Sequence, residues 1–359
     1  MITAIIFILV LGVLILVHEL GHFVMAKHAG MVVEEFGFGF PPTLWSKKID
    51  GTKYSINAIP FGGYVKILGE DGDKRDLTGS FASKSIWSRF LVIVAGVVMN
   101  FLLAVVLLII VNIFGLRVGI DGAKDVIAKD LRVQIIKISA KSPAELAGIK
   151  LLDQIISFQS GGVVTNMMSS KDVQDFVVSN KGKTVNVEIA RGGQIMTKSI
   201  EIRANPPAGE GSLGISLATT GVVTYPWYEA LWRGIYDASI LLVNTIMGYY
   251  LLFKTLFVSG KLMSDVSGPI GIATLTGSAA RLGFNYLAQF VAMISVNLAV
   301  LNFIPFPALD GGRAILLLVE KLKRSPINKK IEGRINAMGF GLLIILMFYV
   351  TFRDILKFF

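Results

Sequence analysis

His18 and His22 stand four residues apart with Glu19 between them, directly after Ile2 to Val17, a stretch with no charged residue. On a helix, positions i and i+4 share one face about 6 Å apart along the axis, which suits two imidazoles on one zinc ion. Glu19 is turned by roughly 100° but borders that face. From there it can act as general base on a water that the metal activates. A charged group in a membrane segment costs about 2.5–3.5 kcal/mol, so a cluster of ionisable groups there marks function by default. The chain has three histidines and spends two of them in this motif.

The elements around the motif must be mostly membrane. Of 359 residues 53% are hydrophobic and 17% charged, too apolar a balance for an ordinary soluble domain. Besides the first segment, Phe90 to Phe114, Phe284 to Ile304 and Ile335 to Phe352 are each about long enough to cross roughly 30 Å of hydrocarbon. Lys and Arg crowd the segment between the first two, including Lys47, Lys48 and Arg75, and that between the last two, including Lys321, Lys323 and Arg324. The positive-inside rule makes both segments cytoplasmic, leaving both termini and residues 116–281 outside. The net charge of +10 then reflects topology, and no nucleic-acid partner is needed to explain it. Residues 238–253 form a further apolar run flanked by Trp227, Tyr228, Trp232, Tyr236 and Lys254, expected to lie in the outer interface. The alternative is an extra span paired with another crossing.

With no cysteine, the metal site must be built from His and carboxylate. A catalytic zinc takes three protein ligands, and His28, after Lys27 at the membrane mouth, is poorly placed. Asp310, at the end of Asn302 to Gly312, is the better candidate, because the first and third spans run the same way and bring it to the depth of His18 and His22. Pro305 and Pro307 break the helix there, and irregular backbone at membrane depth belongs against protein or a watery cavity. A plain turn closing a span is the alternative reading. Asn100 in the second span either bonds to a neighbouring helix or holds substrate backbone; Asn302 leaves the same two options.

Residues 31–68 carry short β-branched and aromatic runs broken by Gly37, Gly39, Asp50-Gly51 and Gly62-Gly63, which predicts hairpins, with Asp50-Gly51 the clearest turn. Phe36, Phe38, Phe40, Ile59 and Phe61 are apolar enough to dip into the bilayer beside the metal. A helical peptide bond is shielded, so a substrate must be unwound, and an exposed strand edge could take it by β-addition. An ordinary small sheet is the alternative. Residues 116–205 read as a soluble domain, with strands at Val133 to Ile138 and Val185 to Ala190 and a helix at Ser170 to Ser179. Ser142 to Ile149 followed by Asp153-Gln154-Ile155 looks like a circularly permuted PDZ domain, with Leu152 where glycine is usual, which puts that turn in question.

These motifs, with Ala95 to Asn100 and Ser267 to Ala273, resemble the site-2 protease family of intramembrane zinc metalloproteases over nearly the whole chain. The resemblance implies a polytopic α-helical membrane protein of the bacterial inner membrane, with four transmembrane helices, a membrane-re-entrant β-sheet at 31–68 and one inserted extracytoplasmic PDZ domain. Its parts would be 1–115, 116–205, an interfacial helical region at 206–283, and 284–359. It implies Zn2+ on His18, His22 and Asp310, Glu19 as general base, and Asn302, Pro305 and Pro307 shaping substrate binding, with Gly37, Gly39, Gly62, Gly63 and Asn100 as further substrate contacts. Partners would be single-pass membrane substrates, the lipid bilayer and a peptide ligand of the PDZ domain. Val97 replaces the proline usual before the second-span asparagine, so that helix is expected to be straighter. Some members carry two PDZ domains in tandem; this chain has room for one. A zinc transporter and an inactive tail-binding scaffold are the competing classes. Neither needs a general base between ligands.

Overall fold

In the computed structural model, residues 2–70, 74, 76–120, 128–259, 268–325 and 327–356 are described. Arg75 and Ser267 lie outside them. The chain divides into two units, the first made of Met1–Ile110, Leu231–Ala280 and Leu287–Phe359, the second of Val111–Ala230 with Arg281–Tyr286.

The first unit opens with α1 (Ile2–His28), whose buried Leu14, His18 and Gly21 follow the spacing of one helix face. A long hairpin follows, β1 (Val33–Ile49) and β2 (Thr52–Ile67). Asp50 and Gly51 both have positive φ, 47° and 81°, as the tight turn between them requires. Both strands bend in the middle, so Glu35 is paired with Lys66 on one side and Lys53 on the other. Two strands thus make a sheet four segments wide, with Gly63–Ile67 along one edge. Glu35 pins it, accepting from Tyr64 Oη at 2.8 Å and Ser55 Oγ at 2.9 Å and pairing with Lys53 Nζ at 3.0 Å.

The helix α2 (Ile86–Phe114) runs unbroken through Val97. It crosses α1 at the metal motif. A Cβ on Gly21 would come within 2.4 Å of the Ala95 carbonyl oxygen, so only glycine allows this approach. Small residues at a crossing are the usual means of packing helices in lipid, where apolar burial between helices gains little.

The second unit is α/β. β3 (Leu116–Gly119), β4 (Lys129–Ile138), α3 (Pro143–Leu146), β5 (Gln154–Ser160), β6 (Val163–Asn166), α4 (Ser170–Ser179), β7 (Thr184–Arg191), β8 (Gln194–Glu201) and β9 (Ile215–Val223) build it. The antiparallel sheet has the order β3-β9-β4-β5-β7-β8, with β6 on β5. Val185, Val187 and Ile189 alternate inward along β7 over Phe158 and Val173, the period of a half-buried strand. β9 pairs with both β3 and β4, so the expected end of this domain at residue 205 is too early. Residues 206–283, expected to form an interfacial helical region, supply this strand before any helix. The Ser139 N–H, too, donates to the carbonyl of Gly214, in the turn that precedes β9, at 2.8 Å.

The remaining helices are α5 (Trp227–Ser259), α6 (Pro269–Leu282), α7 (Phe284–Phe303), α8 (Asp310–Lys323) and α9 (Lys329–Leu356). The run 238–253 is part of α5, a helix of 33 residues. Gly234 would place a Cβ 2.4 Å from Ile109 Cγ1, and Ala238 packs with Ala104, Leu108 and Val296, so α5 docks on α2 and α7 rather than only resting on a surface. Among the described residues five helices are long and apolar enough to cross a membrane: α1, α2, α5, α7 and α9. The end of α9 holds α6, whose Gly271 N–H donates to the buried Asp354 Oδ2 at 2.9 Å.

Candidate active site

α1 delivers His18 and His22 to one face, and the chain between α7 and α8 delivers Asp310. α7 ends at Phe303, Pro305 and Pro307 keep the next residues out of helix, and α8 begins at Asp310. Ala308 takes a left-handed φ of 74°, unusual for a residue with a Cβ, and its N–H donates to Asn336 Oδ1 of α9 at 3.3 Å. A Cβ on Gly312 would lie 2.2 Å from the Phe306 carbonyl oxygen, so the chain turns back on itself here only because glycine is present.

His18 Nε2 and His22 Nε2 are 3.2 Å apart, and Asp310 Oδ2 is 3.0 Å from the first and 3.4 Å from the second. Tetrahedral ligands at zinc bond lengths of about 2.0–2.1 Å lie about 3.3 Å from one another. Close as these atoms are, Asp310 Oδ2 is buried without a hydrogen bond. Three ligand atoms facing one point at these separations fit a cation site. The second ring nitrogens support this. His22 Nδ1 is 2.8 Å from the Val92 carbonyl oxygen, to which only an Nδ1–H can donate, leaving Nε2 free to bind metal. These are the three residues among those described that can hold a metal together.

Beside them a cleft of about 230 Å³ is lined by Ile15, His18, Glu19, Leu298, Asn302 and Asp310. At ~30 Å³ per molecule it has room for several waters. Glu19 therefore borders the ligand set and solvent at once. Asn302 reaches the same cleft from the last turn of α7. Gly63 brings the edge of the sheet to Glu19, since a Cβ there would be 3.5 Å from Glu19 Cγ. Gly62 lies against Ile15, whereas Gly37 and Gly39 sit inside the sheet against Tyr64 and Ile59 and line no part of the cleft.

Asn100 meets the neighbouring helix α1, one of the two options its sequence context leaves open. It is fully buried, its amide nitrogen 3.3 Å from His18 Nδ1 and its Oδ1 without a partner. Turned half over, that amide offers Oδ1 to an Nδ1–H and frees His18 Nε2 for metal, so its place is behind the ligand. Gly96, one turn before it, was invisible as a site residue in the sequence. A Cβ there would lie 2.6 Å from His22 Nε2 and 2.8 Å from His18 Nε2. The signal that could have found it is its spacing, four residues before Asn100 on the face that meets the motif.

Residues 6–346 match the family described as Peptidase family M50. A Clostridium perfringens protein whose name describes a zinc metalloprotease is 36% identical over 350 residues, covering 97% of each chain. A similarly named protein of Clostridium acetobutylicum is 37% identical over 349 residues, covering 97% of this chain and 96% of its own. The zinc metalloprotease RasP of Geobacillus kaustophilus is 27% identical over 444 residues, with 98% of this chain and 97% of the relative covered. The chain belongs to peptidase family M50, the site-2 protease family, and is a membrane zinc metalloprotease.

Proposed function

We propose that the protein hydrolyses a peptide bond within or beside the transmembrane segment of single-pass proteins, with His18, His22 and Asp310 as zinc ligands and Glu19 as general base. The convergence of His18 Nε2, His22 Nε2 and Asp310 Oδ2 within 3.0–3.4 Å, beside Glu19 in a cleft with room for several waters, carries this reading. Bound zinc supplies Lewis acidity, polarising the scissile carbonyl and bringing the pKa of water towards about 7. Glu19 takes a proton from the attacking water at its carboxylate and returns one to the leaving amine. Val92 and Asn100 fix the two imidazole tautomers from behind. The edge Gly63–Ile67 has strand partners on one side among the described residues, so an unwound substrate can add there next to Glu19. Asn302 lines the far wall, and Pro305 and Pro307 shape the chain that carries Asp310 into it.

Four spans with both termini outside put the motif and Asp310 at one depth; α5 then docks on α2 without completing a fifth crossing. The second unit serves as a PDZ domain outside the bacterial inner membrane, taking an extended chain end. Membrane-anchored anti-sigma factors and remnant signal peptides are the substrate classes this architecture suits.

Glu19→Gln tests the reading. The variant should keep stoichiometric zinc by elemental analysis and lose cleavage of a reconstituted single-pass substrate by about 10²–10⁴-fold. Full cleavage by Glu19→Gln protein would sink the assignment of Glu19.

A further inference from the structure

Away from the metal site, a cleft of about 500 Å³ lies between the start of α2 and the end of α8, bordered by Ser83, Ile86, Arg89, Glu320, Lys321 and Arg324. Arg89 is the unusual member. Its side chain is 9% exposed and donates from Nη2 to Glu320 Oε2 at 2.7 Å, yet its buried Nε has no partner. Glu320 has no such deficit, since its other oxygen accepts from the Ile327 N–H at 3.2 Å. A guanidinium offers five donors in a fork that fits an oxyanion, and one buried with donors unmet is costly. Lys321 and Arg324 are exposed on the same rim, and neither meets a carboxylate among the described residues. Three cations thus face one carboxylate that is already engaged, and the positive end of α2 adds to them.

We propose that this cleft binds the phosphate of an anionic phospholipid headgroup. The surroundings favour a lipid over a free anion. Ile315, Leu318, Val319 and Leu322 are all exposed on α8 at the spacing of one helix face, Leu322 by 77%, while Leu317 faces inward. A short helix with such a stripe and a basic end lies in the membrane interface. Trp87, 66% exposed in the first turn of α2, stacks on Phe90 with ring centroids 5.5 Å apart, an aromatic anchor at headgroup level. The cations are therefore held where lipid phosphates are, with apolar surface beside them for the acyl chains.

The test uses the full-length protein in mild detergent, titrated with phosphatidylglycerol, phosphatidylcholine or inorganic phosphate and followed by native mass spectrometry. The comparison is with the Lys321→Ala/Arg324→Ala double variant, whose changes are on the surface. Wild type should bind phosphatidylglycerol in preference to phosphatidylcholine, and the double variant should bind it about tenfold more weakly or worse. Equal binding by wild type and double variant, or equal binding of the two lipids, overturns the proposal. Displacement of phosphatidylglycerol by inorganic phosphate at matching concentration assigns the cleft to a free anion and overturns the lipid source.

Discussion

Glycine serves opposite purposes at the metal motif and at the turn between β5 and β6. Around the metal motif it sits where atoms crowd: a Cβ would meet the Ala95 carbonyl at Gly21, both histidine rings at Gly96 and the Phe306 carbonyl at Gly312. In the α/β unit, Gly161 and Gly162 turn the chain between β5 and β6 at φ 57° and 84°, with nothing within 4 Å of the added Cβ. The difference follows from what each place must do. Helices in lipid gain little from burying apolar surface against each other, so they pack by bringing backbones close. The turn between β5 and β6 brings no backbones together, because its sheet is held by apolar side chains such as Val187, Ile189 and Phe158.

Alanine at Gly96 should break this comparison most sharply. Mid-helix, alanine is ordinarily worth about 1 kcal/mol over glycine. Here its methyl group would occupy the space of His18 and His22, so the protein should fold but lose zinc affinity by more than the ~100-fold typical of outer-shell changes. Zinc content by elemental analysis of purified Gly96→Ala protein measures this, and an unchanged zinc content would mean that the rings can move aside. Next in size is Asn100→Ala, which removes the group behind His18 Nδ1; a fall of about 10–100-fold in zinc affinity is expected. Asn100→Asp keeps an acceptor there and should recover most of it, whereas a purely structural role for Asn100 would not separate the two variants.

The same contrast explains what could be read in the sequence. His18, Glu19, His22 and Asp310 were legible because their chemistry is costly in an apolar stretch, and the Asp50-Gly51 turn because two positive φ values admit few residues. Asn100 was legible as polar but not in its role, since which neighbour it meets depends on how α1 and α2 cross. Gly96 was legible only through its spacing from Asn100: a pattern of types marks glycine as a breaker, while its part here is set by atoms contributed from 74 and 78 residues away in the chain, at His22 and His18. The boundary at residue 205 failed for a related reason, because β9 joins the sheet through pairings with β3 and β4 that no local signal announces. The single helix α5 likewise hides its docking on α2 behind an aromatic flank that reads as a surface.

In the α/β unit the effects should be smaller and set by backbone alone. Gly162→Ala meets no atom and should cost only the left-handed strain of about 1–2 kcal/mol, seen as faster hydrogen exchange in β5 and β6 of the full-length protein. A loss as complete as that of Gly96→Ala would end the comparison.

The reverse change is the finest test. Leu152 occupies the position where glycine is usual and takes it at φ 67°, so the turn in question forms despite its side chain. What holds it is Asp153, buried, accepting from Lys150 N–H at 2.8 Å and from Arg191 Nη2 and Nε at 2.6 and 2.7 Å, while Leu152 N–H donates to the Ile135 carbonyl at 2.9 Å. Those bonds outweigh a strain of about 1–2 kcal/mol. Leu152→Gly removes the strain and keeps every bond, at the loss of part of a half-buried side chain and of some unfolded-state stiffness. A net gain of about 1 kcal/mol is expected, read as slower exchange of the β4 and β5 amides with zinc content unchanged. A net loss would show that Leu152 is retained for its packing, and that in this unit, too, side-chain contact rather than backbone conformation decides which residue stands at a turn.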